Sequence, residues 1–349
     1  MSTTKTATKT KTIANNSNST MLEDRKRHIS QYRATTSRFL YEIGTSFAAY
    51  AALLIFHGPD TLLKLYGLKF WLIAPFVHMR LFMIFHDCGH GSFAPSPKVN
   101  KWLHRLLSVL LMTPIRWRES HRRHHQHLGK LDNELNFQWN DTVYFTKREF
   151  DNLRPVVLKK VLEWIRYPPI YFPLAAFYEW NIRHRMPVLD TTSGYTTADN
   201  FLNTISILIY AGLVILWKGN VHLMVDMFIS GMVAQTFGLT LFHTQHSFED
   251  GYRVTEKEWD LVDAAFQGSS CTLFPWFLRW STMGIGYHHI HHYDPRVPGY
   301  LLQECHEKGD PNFWKGVTVI DTMPEFWKHL WTTVYDEDQQ KFVYYSSSN

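Results

Sequence analysis

Cysteine is scarce in this chain: three residues in 349, Cys88, Cys271 and Cys305. No two stand at a paired spacing, so a disulfide framework and a C-x-x-C iron–sulfur pattern are both excluded, and the thiols fit a reducing compartment. A Gly-rich dinucleotide fingerprint is missing, and so is a His-Pro-Gly-Gly haem motif. No Glu-x-x-His occurs anywhere, which excludes the carboxylate-rich di-iron sites of soluble helical bundles. The first 20 residues contain no acid and no apolar run, so they are not a secretory signal, and the lack of Arg before Arg25 argues against an organelle-targeting segment. Residues 1–36, rich in Thr, Ser and Asn at their start, read as a mobile basic tail. A net charge of +5 gives no reason to invoke nucleic acid.

Histidine, by contrast, is abundant, with 20 residues. Eight of them fall in three clusters: His86 and His90; His121, His124 and His125; His288, His291 and His292. On helices these spacings of three and four put the imidazoles of each cluster along one face. At this frequency about one H-x-x-x-H arises by chance, but two copies of H-x-x-H-H have a random expectation of only roughly 0.002. Neutral imidazole is the commonest metal ligand, and eight rings exceed what one structural zinc needs, so two metal ions are the economical reading.

Mean hydropathy is negative, −0.24, yet long apolar runs occur locally. Four crossings are expected, at Phe39–His57, Phe70–Phe85, Phe201–Trp217 and Val221–Phe242. The second contains Pro75, His78 and Arg80, and a central Arg costs about 2.5–3.5 kcal/mol on insertion scales. Tyr167–Trp180, interrupted by Pro168, Pro169 and Pro173, is too short to span and reads as an interfacial segment. An even count is required, because all three clusters must meet on one side of the bilayer. Arg25, Lys26, Arg27, Arg33 and Arg38, then Lys98, Lys101, Arg105, Arg183 and Arg185, crowd the cluster side, against Lys64, Lys69 and Lys218 opposite; the histidines therefore face the cytosol or its equivalent. The expected fold class is an all-α multi-pass membrane protein, with four transmembrane helices in two hairpins and a cytosolic helical cap.

The motifs in which these residues stand resemble those of the membrane fatty acid desaturases. They are His86-Asp87-Cys88-Gly89-His90-Gly91-Ser92-Phe93; Trp117 through His125 with Asp132 downstream; and Gly286-Tyr287-His288 to His292 followed by Pro295, Pro298 and Tyr300. The resemblance runs from about residue 37 to the end and defines one domain, 37–349. It is nearest the omega-6 (delta-12) type of bacteria and plastids, whose pattern is similar to Gln245-His246-Ser247-Phe248-Glu249 and Gly268-Ser269-Ser270. It implies a di-iron site in the cap and a ninth ligand, His246, with His243 three residues away as its rival.

Several further expectations follow from the resemblance. Two irons with O2 as co-substrate would introduce a cis double bond into a membrane-lipid acyl chain, near carbon 12 of a lipid-linked oleoyl group. Electrons would come from ferredoxin or cytochrome b5, docked on Arg116, Arg118, Arg122 and Arg123, and the membrane would be that of the endoplasmic reticulum or a plastid, or the bacterial inner membrane. Asp87, Asp132 and Asp294 lie near enough in sequence to orient ring N–H groups. His104, His127, His184 and His289 have no ligand register and read as surface or supporting residues. A hydroxylase, acetylenase or carotenoid ketolase would share every ligand, whereas a metal transporter would place its ligands at mid-membrane.

Overall fold

The computed structural model describes residues 20–57, 65–131, 145–152, 167–186 and 197–344. Helix α1 (residues 20–30) precedes two long helices, α2 (Thr36–Phe56) and α3 (Leu65–His90). Amphipathic α4 (Pro97–Leu110) and α5 (Trp117–His127) follow, then short α6 (Lys147–Asp151) and α7 (Pro168–Tyr178). A second long pair, α8 (Thr197–Lys218) and α9 (His222–His246), leads into the small helices α10 (Leu261–Gln267), α11 (Trp276–Thr282), α12 (His288–Tyr293), α13 (Gly299–Glu307) and α14 (Met323–Trp331).

The described residues are mostly helical, as expected, with one small correction to an all-α chain: five short strands occur among them. β1 (Phe145–Thr146) lies parallel to β4 (Val334–Asp336), which pairs antiparallel with β5 (Lys341–Val343). β2 (Cys271–Thr272) lies parallel to β3 (Val319–Ile320). At two or three residues each, they pin loops of the cap together and build no layer.

The long helices form two antiparallel pairs whose ends meet far from the histidine clusters. Asp226, at the start of α9, accepts from Trp71 Nε1 at 3.0 Å and pairs with His57 Nε2 at 2.8 Å, while Lys218 at the end of α8 donates to the His57 carbonyl at 3.0 Å. Gly219, with φ +71°, closes α8 in the left-handed conformation that glycine adopts without Cβ strain. At 1.5 Å per residue, α2, α8 and α9 reach about 31–38 Å, enough for a hydrocarbon core of about 30 Å. These three are long and apolar enough to cross a membrane. Their large apolar side chains lie outward: Leu40 and Phe56 on α2, Leu208 and Leu216 on α8, Val225 and Phe228 on α9.

α3 is different: its 26 residues are long enough, but its composition is mixed. Its first half exposes Trp71, Leu72 and Ile73, and its second half buries His78 and Arg80. The Arg80 guanidinium pairs with Glu42, donates through Nε to Ser46 Oγ at 3.1 Å and through Nη1 to the Trp280 carbonyl at 2.7 Å. A charge that would be costly against lipid is thus met by α2 and α11 inside the bundle.

The residues after position 19 do not all behave as a loose tail. In α1, Arg25 donates to the Phe313 carbonyl and stacks 4.1 Å above Phe266, and His28 Nε2 reaches the Cys305 carbonyl at 2.8 Å. Arg33 pairs with Asp294 at 2.7 Å. α7, 11 residues long, covers α9 and exposes Leu174 and Phe177.

Candidate metal centre

Four elements from distant parts of the chain deliver nine imidazoles to one place. His86 and His90 are one turn apart at the end of α3; His121, His124 and His125 lie on α5; His246 ends α9; His288, His291 and His292 occupy α12. They sort into two groups, His86, His90, His121, His125 and His291, and His124, His246, His288 and His292, within each of which the donor nitrogens lie within 4.8 Å of one another. The i,i+4 pairs stay together: His121 and His125 serve one group, His288 and His292 the other. The intervening His124 and His291 cross over, so α5 and α12 each straddle both groups.

The contacts of the ring nitrogens show what such groups can hold. Asp87 Oδ1 lies 2.9 Å from His86 Nδ1, and the Gly268 carbonyl lies 3.0 Å from His246 Nδ1. Both oxygens only accept, so in the neutral rings each Nδ1 carries the hydrogen and Nε2 is a bare lone pair. His246 Nε2 nevertheless sits 2.9 Å from His288 Nε2 and 3.2 Å from His124 Nε2, and His292 Nε2 lies 3.1 and 3.2 Å from the same two atoms. In the other group His121 Nε2 is 2.9 Å from His86 Nε2 and 3.1 Å from His125 Nε2. Around a four-coordinate cation with metal–nitrogen distances of ~2.0–2.1 Å, nitrogens stand about 3.3 Å apart. The buried Nε2 atoms of His90 and His291 have no hydrogen-bond partner among the described residues. The residues present therefore fit a pair of metal ions.

Burial, and after it the neighbouring rings, holds the imidazoles of His121, His124, His125, His288, His291 and His292 well below the ordinary histidine range. They are neutral at physiological pH, the state in which imidazole binds metal. Trp117 stacks on His121 at 4.6 Å, and Phe242 lies 4.6 Å from His124 and 5.0 Å from His246. A largely apolar pocket is lined by His86, His121 and His288 together with Met79, Phe82, Trp180 and Gly238.

The other candidates separate clearly. Asp87 meets the expectation of orienting a ring, and its second oxygen takes the Gly299 amide at 2.6 Å. Asp294 does not; it is engaged by Arg33 and Arg296, so it anchors the chain behind α12 instead. Asp132 lies outside the described residues. His243 is buried but belongs to neither group, its ring packing 5.3 Å from Phe172. His104 stacks on Phe85 at 4.1 Å, His127 bonds the Arg123 carbonyl, and His184 pairs with Glu179 at 3.2 Å. His289, expected at the surface or in support, is fully buried. Arg116 is buried, Arg118 donates to the Gly89 carbonyl at 2.8 Å, and Arg122 and Arg123 pair with Glu119, with the Arg122 side chain still half exposed.

Sequence reasoning missed the supports of His246. Arg253 donates to its carbonyl at 3.0 Å, and Gln245 donates to Ile285 at 2.9 Å, tying α9 to the run into α12. It also missed why Gly286 precedes that helix: a Cβ there would lie 2.2 Å from the Thr272 carbonyl, which the chain must approach to form the Thr272–Gly286 backbone bond.

Comparison with protein-family models finds a match to the one described as fatty acid desaturase over residues 64–322. The chain belongs to the fatty acid desaturase family. As a member it is an oxidoreductase acting on fatty acyl chains with O2. A fatty acid desaturase of Bacillus subtilis (strain 168) is 32% identical over 76% of this chain and 73% of its own length. An sn-1 acyl-lipid omega-3 desaturase (ferredoxin) of Synechocystis is 25% identical over 80% of this chain and 77% of its own length. An sn-2 acyl-lipid omega-3 desaturase (ferredoxin), chloroplastic, of Arabidopsis thaliana is 28% identical over 80% of this chain and 64% of its own length.

Proposed function

We propose that this desaturase inserts a cis double bond into the methyl-side half of a lipid-linked acyl chain, at carbon 12 of an oleoyl group, using two irons held by the nine histidines. The observation that carries the reading is the cavity that opens directly onto His86, His121 and His288 from between the long helices. The first group of five imidazoles would hold one iron and the second group of four the other. Bound there, iron with O2 supplies the oxidising power to remove hydrogen from an unactivated methylene, which no side-chain acid or base can do.

Met79, Phe82, Phe242 and Trp180 give the acyl chain apolar walls, excluding water and fixing which carbons lie beside the histidines. Asp87 and the Gly268 carbonyl hold the protons of His86 and His246 on Nδ1, so that each Nε2 lone pair points inward. Electrons come from an external donor, with ferredoxin favoured over cytochrome b5 by the names of the Synechocystis and Arabidopsis relatives. α2, α3, α8 and α9 cross the bilayer as two hairpins, with α3 admitted because Glu42 and Trp280 engage Arg80, and the histidine end faces the cytosol or stroma.

Those same relatives support a second reading, omega-3 desaturation of a linoleoyl chain. Expression in a host lacking polyunsaturated lipids separates the two. Linoleate formed from endogenous oleate supports carbon-12 chemistry; α-linolenate formed only when linoleate is fed supports the omega-3 reading. A hydroxylated product, or none while the protein inserts and holds two irons, refutes desaturation at either position.

A further inference from the structure

A third cluster of ligand-type side chains stands behind the nine histidines and takes no part in the reading above. Cys271 on β2, His289 on α12 and His306 on α13 bring one sulfur and two ring nitrogens within 4.8 Å of one another. Cys271 and His289 are buried and His306 is half-buried. We propose that these three residues form a separate mononuclear site for a thiophilic divalent metal of the zinc class, which fastens α12 to β2 and α13.

The donor set is the first argument. One thiol and two imidazoles make a mixed sulfur–nitrogen shell that suits zinc, and three protein ligands leave a fourth position for water or a neighbouring side chain. His289 is the informative member. Among the four histidines between positions 288 and 292 it alone belongs to neither the group of five nor the group of four, and its Nε2 lies 3.1 Å from His306 Nδ1. That nitrogen–nitrogen spacing matches those inside the main site, where edges of 2.9–3.2 Å surround the expected metal positions.

Preorganisation is the second. Cys271 is held by a backbone bond from its amide to the Thr318 carbonyl at 2.8 Å and by a bridge to Tyr287, the residue that caps α12. Trp314 stacks flat on His306 at 4.9 Å and stands 5.4 Å from His289, while Tyr287 packs 5.0 Å from His306. The pocket is walled by aromatic rings. A bound cation would displace the thiol proton and neutralise the thiolate where solvent cannot.

The competing possibility is a plain hydrogen bond between two neutral imidazoles beside a buried thiol. Sulfur ligation distinguishes them, and it also distinguishes this site from zinc lodged among the nine histidines, which offer nitrogen alone. Full-length protein purified in detergent and supplied with zinc and iron is expected to show one zinc with a single sulfur scatterer at ~2.3 Å by X-ray absorption. Cys271→Ser and His306→Gln are each expected to lower zinc by one equivalent per chain while iron content stays at the wild-type level. Retained iron reports that the cap has folded. Zinc with nitrogen-only ligation, no zinc in the metal-replete protein, or unchanged zinc in a Cys271→Ser protein that keeps its iron overturns the proposal.

Discussion

At the scale of single residues, the centre is a problem of proton placement. Asp87 keeps the His86 hydrogen on Nδ1, so Asp87→Asn removes the acceptor charge without removing bulk. Loss of such a supporting contact typically lowers metal affinity or activity about 10–100-fold, and iron titration of the purified variant measures it. Asp294→Asn serves as the contrast, with iron binding unchanged, because its partners are Arg33 and Arg296. His124→Ala and His291→Ala are expected to abolish product in gas chromatography of total lipid while membrane insertion persists. Gly286→Ala tests packing: a methyl 2.2 Å from the Thr272 carbonyl must displace α12, so loss of iron is expected although no ligand has changed.

At the scale of elements, the two long-helix pairs are held by buried polar contacts as well as by apolar faces. Removing one partner of a buried ion pair costs about 3–5 kcal/mol, so Glu42→Gln should lower thermal stability in detergent sharply. Glu42→Leu combined with Arg80→Leu should recover most of that loss, and a double variant as unstable as the single one would count against the pairing. Much of this level was legible beforehand. The spacings of the three clusters indicated which rings share a helix face, and the apolar runs located α2, α8 and α9 to within a few residues. The sorting of rings into a group of five and a group of four was not legible, because it depends on how α5 and α12 cross. The role of Asp294 was misjudged for a related reason: proximity in sequence to His292 says nothing of Arg33, 261 positions away. Arg80 looked like an obstacle to a crossing because its partners Glu42 and Trp280 come from other helices.

For the molecule as a whole, the cap histidines couple pH to integrity. Burial depresses the rings of His121, His124, His125, His288, His291 and His292, so the unfolded chain binds more protons than the folded one below the ordinary histidine pKa of about 6.5. Stability is therefore full above that value and falls as the medium is acidified, with protons also competing for the metal-binding lone pairs. Metal-stripped protein should melt at lower temperature at pH 5.5 than at pH 7.5, and iron should restore more at the higher pH. The docking of α1 has a practical consequence for handling the enzyme. Because Arg25, His28 and Arg33 bolt residues 20–33 onto the shell around α12 and α13, a label fused ahead of residue 20 leaves that clasp untouched, whereas trimming the gene to begin at residue 35 strips three of its rivets.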